Sequence, residues 1–323
     1  METDKDLVSI LIPTYNRESY IYETIYSAIS QTYDNIEIIV VDNCSEDNSW
    51  DIIKNIANEH KNIRCYQNFE NVGPVSNWKR CIELAKGKYA KILFSDDLIE
   101  PDFIEKSMAC FYDNKQLGFV VTGIRTGECI EQSETLNSMP LSTGVYSVAE
   151  FLNLSLFEGR APLSPGCAMF PLEYLKCNLV EEIPSPSLSG FSSHGAGPDL
   201  LLYLQACLKY DTFMYIDEPL AFFRSHKGSL SVINRPDDDL FNYYTQAKLW
   251  FVQKNYSKEL SSYYFAYTWV SYIVNMKKLY FPRKFSGKFS FSQVNIYRGI
   301  YYAVKDIFMR KLSKKDESRT FKL

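Results

Sequence analysis

The sequence predicts an α/β protein: a doubly wound, mostly parallel sheet followed by a helical C-terminal region. Three observations carry this. Strand-like and helix-like segments alternate four times before residue 98 with short connections, the rhythm of βαβ units. The chemically interesting polar groups fall at the strand ends, at 13–16, 42–45 and 95–97, where open α/β sheets collect ligands. From residue 237 or so, the chain turns to Tyr- and Phe-rich helical segments with a basic end.

"LVSILIP" (7–13) is a β-rich run stopped by Pro13, and "ESYIYETIYSAISQ" (18–31) sets Ile21, Ile25, Ala28 and Ile29 at helical spacing. "IEIIVVDN" (36–43) reads as a second buried strand. A helix should follow, starting at Ser45 or Asp47, with Trp50, Ile53 and Ile56 on one face. "IRCYQN" is a short third strand. "GPVSNWKRCIELAKG" is a third helix with Gly87 as its expected C-cap, and "YAKILFSDD" is a fourth strand. After 110 the pattern loosens. "GFVVTGIRTGE" and "TFMYIDEPLAFFR" read as strands, "SVAEFLNLSLFEG" and "DLLLYLQACLKY" as helices, and 181–198 as a Ser/Pro/Gly-rich loop.

At 323 residues and 46% hydrophobic, the chain can bury a sizeable core. The longest apolar-rich run, "YYFAYTWVSYIVNM" (263–276), is too short to span a bilayer and carries Ser271 and Asn275. The opening "METDKD" is acidic and runs straight into a strand, which is not the pattern of a secretory signal. Eight cysteines lie scattered without a C-x-x-C pair, as expected of cytoplasmic thiols rather than disulfides or a zinc site. Residues 276–323 hold 13 Lys and Arg against 3 Asp and Glu, so the net charge of −4 conceals a basic tail on an acidic body. With no nucleic-acid motif beside it, the tail points to membrane phosphates. Ile296, Ile300, Val304 and Ile307 would share one face of a helix there, suited to an anionic membrane surface or to packing on the protein itself.

Asp96 and Asp97 are adjacent carboxylates directly after an apolar run. Such a pair suits Mg²⁺ or Mn²⁺, hard cations that share oxygen ligands with a diphosphate, although capping acids in a turn before Pro101 have the same appearance. The turn after "IP" can offer backbone N–H groups at a helix start. Asp42 can accept a ring N–H, and Asn77 can both donate and accept. Asn43 and Ser45 have the look of turn residues.

In their order and spacing, "PTYN" (13–16), "VVDNCSEDNS" (40–49), "NVGPVSN" (71–77) and "SDD" (95–97) resemble the inverting family 2 nucleotide-sugar glycosyltransferases. The likeness is specific over residues 7–110 and looser to 230. It implies a GT-A type, Rossmann-like fold: a catalytic domain over 1–235, with a nucleotide-sugar half to 110 and an acceptor half beyond. The helical aromatic and basic region over 236–323 lies outside the likeness and is read from the residue pattern alone. The likeness also implies roles. Pro13, Thr14 and Tyr15, with Asn16 or Arg17 near them, and Asp42 and Asn77 would hold the nucleotide. Asp96 would bond the ribose, and Asp97 would reach a divalent metal, Mn²⁺ or Mg²⁺, bridging the phosphates. Ser95 stands at the first position of the family's usual D-x-D, so metal binding rests on Asp97.

The family's general base, usually in an E-D pair at a helix start, matches Asp199 of "GPDLLLYLQ", with Pro198 in place of the Glu. A helix-dipole charge would look the same, and Glu181 and Glu182 are nearby acids. "FFRSHKGSLS" (222–231) resembles the segment that closes over the diphosphate, with His226 completing a metal shell and Arg224 or Lys227 offsetting charge on the leaving group. The resemblance thus implies transfer from a nucleotide-sugar, by analogy a UDP-sugar, to a glycan or lipid-linked acceptor in surface-polysaccharide synthesis. The site is expected in the cytoplasm or on the inner face of the membrane, with no nucleic acid as partner. Nothing in the sequence selects a monomer over an oligomer. A nucleotidyltransferase would show a Gly-rich loop where "PTYNRES" stands. A catalytically inactive nucleotide- or sugar-binding module would have lost the strand-end acids, and Asp42, Asp96, Asp97 and Asp199 are all present.

Overall fold

The computed structural model describes residues 5–136, 139–183, 191–226, 240–276 and 300–301. The first hundred residues or so build β1 (Val8–Thr14), α1 (Ile21–Ile29), β2 (Ile36–Asp42), α2 (Ser49–Glu59), β3 (Ile63–Gln67), α3 (Pro74–Leu84), β4 (Tyr89–Ile92) and β5 (Leu98–Ile99). β1, β2 and β4 are buried at every position, as expected when helices cover both faces of parallel strands. α1 turns Ile21, Thr24, Ile25 and Ala28 inward, and α3 does the same with Val75, Trp78, Cys81 and Ile82.

The chain continues through α4 (Phe103–Asp113), β6 (Leu117–Gly127), β7 (Glu134–Leu136), β8 (Gly144–Ser147), α5 (Val148–Asn153), β9 (Ala168–Pro171), α6 (Leu172–Asn178), α7 (Phe191–His194), α8 (Pro198–Lys209) and β10 (Thr212–Arg224). One sheet runs β3-β2-β1-β4-β9-β6-β10-β5, with β7 on β6 and β8 on β10. The β3-β2-β1-β4 half is parallel. β9 then intervenes antiparallel to both β4 and β6, while β6 and β10 pair in parallel. Over that half Phe119, Phe151, Phe170, Tyr203 and Phe213 form an aromatic core, with Phe119 5.1–5.7 Å from the other four ring centres.

The chain divides into two compact units, Met1–Glu182 with Gly190–Leu240, and Ile183–Ser189 with Phe241–Leu323. Of the second, the structure describes most of α9 (Leu240–Asn255) and α10 (Lys258–Met276), which bury Phe251, Val252, Tyr264 and Tyr267 and are joined by a Ser261 hydroxyl donating to the Val252 carbonyl. Among the described residues no helix is long and apolar enough to cross a membrane. All eight cysteines are free. The tail helix expected around 296–307 lies almost wholly outside the described residues.

Three local expectations are corrected. The fourth strand stops at Ile92, and Phe94–Asp97 is a turn closed by the Asp97 N–H donating to the Phe94 carbonyl at 3.0 Å. α2 begins at Ser49, and Asp47 accepts the N–H groups of Ser49 and Glu18. Gly87 caps no helix, since α3 ends at Leu84. It lies where a Cβ would come within 2.8 Å of the Leu7 carbonyl.

That approach is held by Glu37, which accepts from the Ser9 hydroxyl, the Lys86 and Gly87 N–H groups and the Arg64 guanidinium. Burial pushes the Glu37 carboxyl up, but the bonds from Ser9, Lys86 and Arg64 outweigh it and hold it below the ordinary value. Glu37→Ala should cost about 2–3 kcal/mol, below a fully buried pair because Arg64 is partly exposed. Glu37's contribution is present above pH 4.5 and disappears as pH falls through its lowered folded value. Urea titrations of both proteins at pH 7 and pH 3.5 check this: the difference between them should shrink at the lower pH.

Candidate active site

β1, β2 and β3 end level: Thr14 pairs with Asp42 and Asp42 with Gln67. At this edge the turn after β1 is stitched to the turn after β2. The Asn16 N–H donates to the Ser45 hydroxyl (2.9 Å), the Arg17 N–H to the Ser49 hydroxyl (2.7 Å), and the Asn16 side chain accepts the Glu46 N–H (2.9 Å). Asn16 therefore holds the loop together, and Tyr15, 36% exposed, is the open side chain of the turn. Thr14 is buried, and its carbonyl accepts the Asn43 N–H. Pro13 lies buried in β1, level with Val41.

Asp42 is wholly buried and accepts from the Ser45 N–H and hydroxyl and from the Gln67 amide at 3.0 Å. Gln67 had no signal in the sequence as a site residue; only the pairing of β2 with β3 sets it beside Asp42. Asn77 does not offer its amide to this edge. It donates to the Val41 carbonyl and accepts from Asn68, in a buried chain that continues through Asn43 to Asn71. Its expected contact with a nucleotide gives way to a structural one, tying α3 to β2, because the first turn of α3 points this side chain into the sheet.

Asp96 Oδ2 receives Arg17 Nε at 3.2 Å and lies 3.0 Å from His226 Nε2. Asp97 Oδ1 accepts the Arg224 N–H at 3.0 Å, and among the described residues nothing bonds its Oδ2. Burial, and next the charge of Asp96, push the Asp97 carboxyl well above the ordinary carboxylate range; the Arg224 N–H and the charges of Lys91 and Arg224 pull it part of the way back. Asp96 is thus paired with the Arg17 guanidinium and hydrogen-bonded to the His226 ring, while no side-chain cation among the described residues bonds Asp97. A buried carboxylate with an open oxygen and a repelling neighbour fits a divalent cation. His226, expected beside the metal, faces Asp96 instead and packs 4.6 Å from the Tyr20 ring. Among the described residues no group of three His, Cys, Asp or Glu has metal-binding geometry.

Arg224 clamps the turn. Its Nε donates to the Asp96 carbonyl at 3.0 Å, its Nη2 reaches Glu23 at 2.5 Å, and its guanidinium lies over Tyr20. Lys227 lies outside the described residues. Below the turn, Lys91 is wholly buried in β4, its ammonium donating to the Gly166 carbonyl and lying 4.4 Å from the Phe103 ring centre. Burial pushes it down to about 7, against the opposing pull of Cys167 and Asp97. A lysine inside an apolar strand run was visible in "YAKIL", yet only its complete burial marks it.

Asp199 opens α8, where its Oδ1 accepts the N–H groups of Gly197 (2.8 Å) and Leu200 (2.6 Å); it is 7% exposed. Glu181 pairs instead with Lys79 at 2.7 Å.

The glycosyl transferase family 2 model matches residues 9–179, more than half of the chain. The chain belongs to glycosyl transferase family 2. This family 2 chain is 37% identical over 131 residues to the Escherichia coli UDP-Glc:alpha-D-GlcNAc-diphosphoundecaprenol beta-1,3-glucosyltransferase WfaP, covering 37% of this chain and 51% of that one. It is 38% identical over 101 residues to glycosyltransferase GlyG of Streptococcus pneumoniae, covering 31% and 33%. The chain therefore spans about half the length of WfaP and a third of GlyG. Among solved structures, S. aureus TarS 1–349 in complex with UDP-GlcNAc superposes with a TM-score of 0.62 at 17% identity, over 93% of this chain and 81% of that one. TarS 1–349 in complex with UDP gives 0.60 at 18% identity, over 88% and 75%. The fold of this family 2 chain is the GT-A type.

Proposed function

We propose that the protein is an inverting glycosyltransferase that moves a sugar from a UDP-sugar to a hydroxyl of a glycan or lipid-linked acceptor in surface-polysaccharide synthesis. The observation that carries this is the asymmetry of the acidic pair: Asp96 compensated by Arg17 and His226, Asp97 buried with an open oxygen. The names of two neighbours, a UDP-glucose transferase acting on a diphosphoundecaprenol and a UDP-GlcNAc complex, support the donor and acceptor classes.

In this reading the Pro13–Arg17 turn, Tyr15 and Asp42 hold the nucleotide, and Asp96, oriented by Arg17 and His226, bonds the ribose. Asp97 would hold Mn²⁺ or Mg²⁺, which when bound would supply positive charge against the diphosphate. Asp199 accepts the proton of the acceptor hydroxyl as that oxygen bonds to the anomeric carbon. The bond from this carbon to the nucleoside diphosphate breaks, its electron pair leaves with the diphosphate, and the configuration inverts. Arg224 keeps the acidic turn in shape, and Lys227 adds charge near the leaving group. The basic tail holds the enzyme at the inner face of the membrane, where a lipid-linked acceptor would lie.

Isothermal titration of UDP, GDP and dTDP, with and without Mn²⁺, tests this. UDP should bind preferentially and more tightly with Mn²⁺, and Asp97→Asn should erase the metal-dependent gain, about tenfold or more. Equal binding with and without metal would remove Asp97 from its role. Absence of binding by all three nucleotides would favour an inactive module.

A further inference from the structure

We propose that Trp78 is a positioning residue that sets the separation between Asp199 and the Asp96–Asp97 turn. The inference rests on reading Asp199 as the base and the acidic pair as the donor end of the site.

Trp78 is 6% exposed on the inner face of α3. On one side its ring lies 5.3 Å from that of Phe94, tilted by 55°. The Phe94 carbonyl accepts the N–H of Asp97 at 3.0 Å. On the other side the indole lies against the backbone of Gly195: a Cβ there would come 2.6 Å from Trp78 Cη2 and 2.7 Å from Cζ2. Gly195 has φ +74°, a conformation that favours glycine, and its carbonyl accepts the N–H of Asp199 at 3.2 Å. One indole thus touches two residues whose carbonyls hold the N–H groups of Asp97 and Asp199.

The helix that carries this bridge is anchored. The neighbouring Asn77 fixes α3 to β2 through the Val41 carbonyl and to Asn68. An indole has only two side-chain torsions, so it transmits spacing with little give. Inverting transfer needs the base and the leaving diphosphate on opposite sides of the sugar carbon, and a misplacement of about 1 Å can cost about 10² in rate. Trp78 reaches Asp97 and Asp199 only through the backbone of Phe94 and Gly195, so the effect is expected in their spacing, hence in turnover rather than in nucleotide affinity.

The test uses the full chain, following nucleoside diphosphate release from UDP-, GDP- and dTDP-sugars with Mn²⁺, beside calorimetric UDP binding and thermal melts. Trp78→Phe keeps an aromatic ring but withdraws the edge that meets Gly195. It should lower kcat about 10- to 100-fold, with the donor KM and UDP Kd changed by no more than about threefold. Gly195→Ala should also lower kcat. The double variant, in which the smaller ring makes room for the methyl, should recover about fivefold or more over Gly195→Ala alone. Wild-type kcat in Trp78→Phe, an equal loss of UDP affinity, or simple additivity in the double variant would overturn the inference. Asp199→Asn separates the two levels. If that variant turns over normally, the base reading fails and this inference falls with it. If it is inactive while Trp78→Phe is unimpaired, the inference alone fails.

Discussion

Asp199→Asn is expected to lower turnover by about 10²–10⁴-fold, the usual contribution of a positioned general base, while UDP binding stays unchanged. The substitution is close to isosteric. The Asn carbonyl can still accept the N–H groups that Asp199 Oδ1 now takes from Gly197 and Leu200, so the start of α8 survives. What disappears is proton acceptance from the acceptor hydroxyl. Steady-state rates together with a thermal melt check this. A stable Asn variant with wild-type turnover would make Asp199 a helix-capping acid only, and a variant that loses UDP binding would place it on the donor side.

The second large effect concerns Lys91. A free lysine titrates near 10.5, but burial brings this one down to about 7. Below pH 7 it is charged in both the folded and the unfolded chain, and the folded protein bears the full cost of a buried ammonium. As pH rises from 7 to 10.5, the folded protein has released the proton and the unfolded chain still holds it, so this destabilisation fades. The cost at neutral pH approaches about 5 kcal/mol, from about 1.4 kcal/mol for each pH unit between those values. Lys91→Met removes it but leaves the Gly166 carbonyl without its donor, which returns about 1–3 kcal/mol. A net gain of about 2–4 kcal/mol at pH 7, shrinking by pH 9, is expected in urea titrations. A Met variant less stable at pH 7 would mean that Lys91 compensates Asp97 more strongly than burial penalises it.

Lys91 also bears on the acidic turn, where the Asp97 carboxyl stays well above the ordinary range. The Lys91 charge pulls the Asp97 carboxyl back down against burial and Asp96, while Asp96 has Arg17 and His226 beside it. The pair is therefore not equivalent: Asp96 is held by Arg17 and His226, and Asp97 is buried with one oxygen unbonded among the described residues.

The first four strands were legible because each carries its instruction locally, in an apolar run between turn residues. The edge they build was legible in part, since the polar groups at 13–16 and 42–45 follow directly on apolar runs, whereas the place of Gln67 beside Asp42 comes only from strand pairing. The misreadings came where a side chain had more than one use. Asn77 satisfies a donor-and-acceptor pattern that suits a nucleotide edge, but a buried amide must be bonded, and Val41 and Asn68 lie nearer. Gly87 suits a helix cap, yet its lack of a side chain serves the close approach to β1.

By itself the sequence determined the alternating units, the polar strand ends and the identity of the acids gathered there, because strand, helix and turn preferences act over a few residues. Only the tertiary structure decided that β9 enters antiparallel between β4 and β6, that Asp96 meets Arg17 from 79 residues away and His226 from 130, and that Trp78 joins Phe94 to Gly195. Those partners are chosen by how distant elements pack, and local propensity carries no record of which distant group will arrive beside a buried charge.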